Sequence, residues 1–226
     1  MALRPQNLII VTGHAPFKAE VEQVPDDPTR DDYWVLQAFQ KGEPPYYIEH
    51  IKCGIELLAK DPNAILLFTG GHTRPEAGQW SEADTYLAIA KHYGYWMADN
   101  GIALRDRVMQ EQYSRDSLEN ISFSLYRFYQ LFGYYPRHVT IVGWRFKEKR
   151  FDLHRQTVGI PADKFTYVGC NNPKDMKGAM IGEAKTLAQF EQDPWGEREP
   201  LHSKRLERDP LHRGNPYMHL PRIDFR

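Results

Sequence analysis

The chain has 226 residues, 29 Lys and Arg against 30 Asp and Glu, and a formal net charge of -1. So balanced a charge excludes the basic stripe that nucleic acid or an acidic membrane surface demands, and neither partner is expected. Cys53 and Cys170 are the only cysteines, too few for a disulfide framework or a zinc ribbon, so reduced thiols in a cytoplasmic setting are the simplest expectation.

The length fits one α/β domain with decorations. Asn7 to Thr12 is short and β-branched and stops at Gly13, which predicts a buried strand. A polar segment, residues 16–45, follows as an insertion, with a short helix predicted over Asp31 to Phe39. A loop of this length is commonly functional. Tyr46 to Lys60 carries Ile48, Ile51, Ile55 and Leu58 at helical spacing. Ala64 to Thr69 is a second strand ending at Gly70-Gly71, and Ser81 to Tyr93 a second helix. Arg107 to Gln110 predicts a strand, Ser117 to Phe132 a helix, His138 to Val142 a strand and Lys147 to Val158 a helix. Phe165 to Val168 and Gly182 to Gln192 complete the alternation.

Such alternation predicts a Rossmann-like three-layer α/β/α domain over 1–192, with a mostly parallel sheet of about five strands. Residues 193–226 lack periodicity and are rich in Pro, Arg and His. They predict an extended C-terminal tail strapped over the domain or making a homo-oligomer contact. The longest apolar runs, Leu8 to Val11 and Ala64 to Phe68, are strand-sized, so no membrane span is expected. Met1 to Asn7 has no pattern of a secretory signal.

In open parallel sheets ligands bind beyond the carboxyl ends of the strands. Those ends here carry Gly13-His14, Gly70-Gly71-His72 with Arg74, Glu111 to Ser117, and Arg145 with Lys147. Glycines after a strand let amides approach an anion, so Gly13, Gly70 and Gly71 are candidate ligand contacts. Ser81 either caps its helix or offers its hydroxyl to an anion. Asp116 is placed to cap the helix of Ser117, with Glu119 three residues on. Ser114 and Arg115 precede that helix and face the expected cleft, while Asn120 touches ligand or bonds a neighbouring loop. His72 and Arg74 form an anion clamp, and Arg145, Lys147 and Arg150 are either a phosphate site or a solvated face. His14, His72, Glu82 and Glu111 raise a divalent metal as a cofactor, although none has the close spacing of a known metal motif. Glu82 and Glu111 are the candidate catalytic carboxylates. G-x-G-x-x-G, Walker and G-x-S-x-G patterns are absent, so dinucleotide, P-loop and Ser/His/Asp chemistry are not indicated. Cys170 reads as an inert thiol.

The order Gly13, Leu67-Phe68-Thr69-Gly70-Gly71, Ser81-Glu82-Ala83, Glu111 with Ser114, Ser117, Glu119 and Asn120, then Phe146, Lys147 and Arg150, resembles the YdcF/SanA/ElyC-like family, domain of unknown function 218. The resemblance spans about Asn7 to Gly169. It implies a Rossmann-like fold with its site at the Gly-Gly, Ser-Glu-Ala and Glu-x-x-Ser segments. It also implies nucleotide-like ligands such as S-adenosylmethionine in one branch. The chain departs at Gly13-His14, where many members carry small residues, and at Lys147, where bacterial members carry His. It lacks their membrane anchor and resembles the soluble, eukaryotic-type branch.

The expected function is that of a small-molecule enzyme, a metal-assisted hydrolase or transferase acting on a phosphorylated or carboxylated metabolite. The alternative is a non-catalytic binder of a nucleotide-like ligand.

Overall fold

The computed structural model describes residues 4–95, 104–223 and 225. Five strands form one sheet: β1 Asn7–Thr12, β2 Ala64–Thr69, β3 Val108–Glu111, β4 His138–Trp144 and β5 Phe165–Asn171. Their order is β3-β2-β1-β4-β5, and every pair is parallel. Helices α1 Pro44–Lys60, α2 Glu82–His92, α3 Ser117–Phe132, α4 Glu148–Val158 and α5 Met176–Gln192 follow the successive strands. Helix α6, Leu201–Glu207, lies in the tail.

The three layers follow from the strand sequences. β1 and β2 are apolar almost throughout because helices cover both faces. Ile9, Val11, Leu66 and Phe68 point to one side and pack with α1 and α2. Leu8, Ile10, Ile65 and Leu67 point to the other and pack with α3 and α4. Each fully buried aliphatic side chain of this kind stabilises the fold by roughly 1.5–3 kcal/mol. Gly54 on α1 lets the helix press onto the sheet, since a Cβ there would lie 2.3 Å from Val11 Cγ2.

The insertion is packed rather than loose. Phe17 pairs with Trp34 in an isolated antiparallel bridge, and both side chains are buried. The helix expected over Asp31 to Phe39 is instead two single 3-10 turns, Asp31–Tyr33 and Ala38–Gln40. Helix α5 starts at Met176 rather than Gly182, because Asp175 caps it by accepting the Gly178 amide at 2.9 Å. The tail packs on the domain through Leu201, Tyr217 and Phe225, which are buried. No helix among the described residues is long and apolar enough to cross a membrane.

Candidate functional site

β1, β2 and β3 step one way across the sheet, and β4 and β5 the other. The loops leaving β1 and β4 therefore diverge, and a crevice opens between them at the carboxyl ends. A cavity of about 630 Å³ lies there. Thr12, Gly13 and His14 border it from β1, and Trp144, Phe146 and Lys147 from β4. The insertion adds Phe39, Gln40 and Glu43, the start of α3 adds residues 114–117 and Asn120, and α5 and the tail close the far side.

Glu82 reaches this cavity because two glycines make room. A Cβ on Gly13 or on Gly70 would lie 2.6 Å from Glu82 Cβ. Gly70 also has φ 144°, which a side chain rarely adopts. Thr73 Oγ1 donates to Glu82 Oε1 at 2.6 Å. Burial raises the Glu82 carboxyl above the usual range, partly offset by that hydrogen bond. Burial also raises Glu43, despite the Tyr47 hydroxyl that donates to it.

The cavity is rich in cations. Lys147, Arg74 and Arg208 border it, and none forms an ion pair with a described carboxylate. Burial, reinforced by Arg150, lowers the Lys147 amine to about 8. Burial and the nearby Arg208 lower Arg74. Arg150 is different. It forms a two-pronged bond to Glu183, Nε–Oε1 2.9 Å and Nη2–Oε2 2.7 Å. Its Nη1 also donates to Ser117 Oγ at 2.9 Å.

An aromatic group adjoins the cations. His14 stacks on Trp144 with ring centroids 5.7 Å apart and meets the His50 ring edge-on at 5.2 Å. Burial and then Lys147 hold His14 well below the ordinary imidazole range, and its buried Nε2 has no hydrogen-bond partner. Burial lowers His50 to about 4, and its Nε2 donates to Asn171 Oδ1 at 2.7 Å.

Of the residues the sequence singles out, Gly13, His14, Arg74, Glu82, Ser114, Arg115, Asn120 and Lys147 border the one cavity. Asn120 makes no side-chain hydrogen bond to another described residue. Arg115 is committed to Glu119 at 2.6 Å and Asp209 at 3.4 Å. Asp116 caps α3 as expected, accepting the Glu119 amide at 2.9 Å.

Several expectations require correction. The Gly70 and Gly71 amides donate to the carbonyls of Glu111 and Ser114, so they are not free for an anion. Ser81 is a cap, accepting the Asp84 amide and donating to its carboxylate. His72 is held between the Gln79 carbonyl and Arg213 of the tail. Arg145 is exposed and donates to the Gly169 carbonyl. Glu111 is sealed away, since Thr69, Tyr113, Ser114 and Tyr217 all donate to its carboxylate. These placements disperse the expected metal ligands His14, His72, Glu82 and Glu111. Among the described residues no group of three or more His, Cys, Asp or Glu side chains is arranged to hold a metal ion.

Sequence reasoning placed Ser117 at a strand end and in the resemblance motif without giving it a role, and it missed Glu183, Lys204 and Arg208; all four border the cavity. Glu183 carried a usable signal: a carboxylate in a run of Gly, Ala, Met and Ile, where a charge needs a partner. Lys204 and Arg208 sit in a tail without periodicity and carried none.

No family model matches the chain, and no solved structure matches it. A Saccharomyces cerevisiae (strain ATCC 204508 / S288c) protein described as uncharacterized protein YOR238W is 25% identical over 262 residues. The alignment covers 93% of this chain and 86% of the yeast protein.

Proposed function

We propose that this protein binds a small phosphorylated or carboxylated metabolite in the cavity between β1 and β4, and hydrolyses or transfers its phosphoryl-type group. One observation carries the reading: Lys147, Arg74 and Arg208 border the cavity, and none forms an ion pair with a described carboxylate. Glu43, Glu82 and Glu183 offset part of their charge from the same cavity, and cations held in a partly dry site without a bonded counter-ion favour an anion there. Phosphoryl transfer needs little beyond such charge and good positioning. Glu82, the candidate catalytic carboxylate that reaches the cavity, deprotonates the attacking water. Its raised affinity for a proton suits that task. The motif resemblance to the YdcF/SanA/ElyC-like family supports a ligand site at these segments, and membership of that family is part of the proposal.

The test is thermal unfolding of the full chain with inorganic phosphate and a panel of phosphorylated and carboxylated metabolites. A ligand at 100 times its dissociation constant adds about 2.7 kcal/mol, or roughly 5–11 °C in Tm for a chain this size. That shift is expected in the wild type and lost in Lys147→Ala. Glu82→Gln should keep the shift and lose turnover. A flat response across the panel would end the proposal.

A second reading, a non-catalytic binder of a nucleotide-like ligand, is favoured by the ring group of His14, Trp144 and Phe146 beside the cations. An aromatic plate next to an anion site suits a base carrying a phosphate or carboxylate. Ligand-induced stabilisation with no turnover of any compound in the panel would favour it.

A further inference from the structure

Ser117 is the first residue of α3, but it does not cap it; Asp116 does. Its hydroxyl is therefore free of the usual duty of a serine at a helix start. It borders the cavity and meets two side chains of α4, the His154 Nε2 at 2.8 Å and the Arg150 Nη1 at 2.9 Å. A guanidinium has donors only. Arg150 must donate to Oγ, so the hydroxyl keeps its own proton to give. In the tautomer that carries the ring proton on Nδ1, His154 Nε2 accepts that proton. That Nδ1 is buried and has no partner.

We propose that Ser117 is the nucleophile of this cavity, activated by His154 as proton acceptor and by Arg150 as the cation that stabilises the developing alkoxide. The substrate class, a phosphoester, rests on the functional reading above; the nucleophile itself does not. Three observations besides the hydrogen bond support it. His154 is fully buried, so it does not drift from its position. Phe190 and Phe151 hold its ring edge-on, with centroids 4.5 and 5.8 Å away. Burial, reinforced by Arg150, lowers it to about 3, so the ring is neutral at physiological pH and holds a proton only in passing. No described carboxylate bonds Nδ1, so this is a two-residue arrangement, with the cation on the serine side replacing the usual acid on the histidine side.

In the first half-reaction Oγ bonds to phosphorus as the bond from phosphorus to the leaving oxygen breaks. The proton passes from Oγ to Nε2 and on to the leaving oxygen. Arg150 repels an imidazolium, so the proton is handed on rather than stored. In the second half water attacks phosphorus while Glu82 takes its proton, the P–Oγ bond breaks, and that proton returns to Oγ. No redox partner is required.

The experiment treats the full chain with a fluorophosphonate, which forms an Oγ–P bond on an activated serine and releases fluoride with the serine proton. Intact mass and peptide mapping should show one adduct, on Ser117, absent from Ser117→Ala. His154→Gln should label about a hundredfold more slowly or worse, as expected when a general base is lost. A melting curve accompanies each variant, and if His154→Gln does not fold, the wild-type map and Ser117→Ala decide alone. No adduct on Ser117, or one on another residue that Ser117→Ala leaves intact, would overturn the proposal. Inorganic phosphate separates it from the broader reading. Labelling without protection or thermal stabilisation by phosphate removes the anion cavity and keeps the nucleophile. Stabilisation without labelling does the reverse.

Discussion

Arg150 on α4 and Glu183 on α5 meet in a parallel two-pronged ion pair, with both side chains about nine-tenths buried. Besides Glu183, Phe190 is the buried residue of α5 among its 17 positions. The pair is thus a main attachment of the N-terminal half of that helix to the domain. It also neutralises the cation that donates to Ser117.

Glu183→Gln keeps the shape of the side chain and removes its charge. Breaking a buried pair by neutralising one partner costs about 3–5 kcal/mol at most, and the remaining amide oxygen recovers part of that. The expected outcome is a loss of about 2 kcal/mol in urea unfolding, together with tighter binding of inorganic phosphate. Weaker phosphate binding in this variant would show that Glu183 does not compete for Arg150.

Lys147 makes the anion site pH-dependent. Its amine is lowered from 10.5 to about 8, chiefly by burial. Below about pH 8 it is charged and attracts an anion; above, it is neutral. Phosphate affinity is therefore expected to fall between pH 7.5 and 9, by about tenfold if one full ion pair is lost, and calorimetric titration reads it directly. The stability sign runs the other way. The folded chain bears the cost of a buried ammonium below about pH 8, and that cost disappears as pH rises from about 8 to 10.5, where only the unfolded chain keeps the proton. Lys147→Met should bind phosphate weakly at all pH values and show no step near 8.

Much of the architecture was legible from local pattern. The apolar runs of β1 and β2, the glycines that end them and the Asp116 cap are local features, and local features survive folding. Gathering Gly13, His14, Glu82 and Lys147 on one rim follows from strand ends alone. Glu111 was not legible, because the residue that helps seal it, Tyr217, lies 106 positions away in the tail. Arg145 and Lys147 differ for a simpler reason. They fall two residues apart on the 3-10 turn Arg145–Lys147, so their side chains leave on different sides. The tail's cations were hidden because no periodicity announces a helix of seven residues.

His154 and His50 predict how the fold responds to acid. Burial holds them at about 3 and about 4, against 6.5 in an unfolded chain. From pH 6.5 down to about 4 the unfolded chain takes up protons that the native chain refuses, so stability falls as pH falls. His14 pulls in the same direction. Glu82 and Glu111 pull the other way, from their ordinary 4.5 upward, because burial raises them and the native chain takes up their protons first. Guanidinium midpoints measured from pH 7.5 to 5.5 in the wild type and in His154→Gln separate this histidine from the buried carboxylates. His154→Gln should flatten the slope, and an unchanged slope would remove His154 from the account.

Arg205 fastens the tail to the start of α3. It donates to Asp116 Oδ2 from Nε at 2.8 Å and from Nη2 at 2.6 Å, and its Nε lies 3.2 Å from Glu119. These side chains are between 6% and 14% exposed, so the charges are largely dry. Arg205→Ala leaves two carboxylates facing each other, with only Arg115 to balance them, and should cost about 3 kcal/mol. The same tail carries Lys204 and Arg208 to the cavity wall. Loosening it should therefore also weaken phosphate binding, although Arg205 itself is not part of that wall. Arg205→Lys keeps the charge but not the fork and is expected to fall between the two. Equilibrium unfolding and phosphate titration of the pair give the decisive comparison: stability lost with phosphate affinity intact would mean that the tail braces α3 without shaping the cavity.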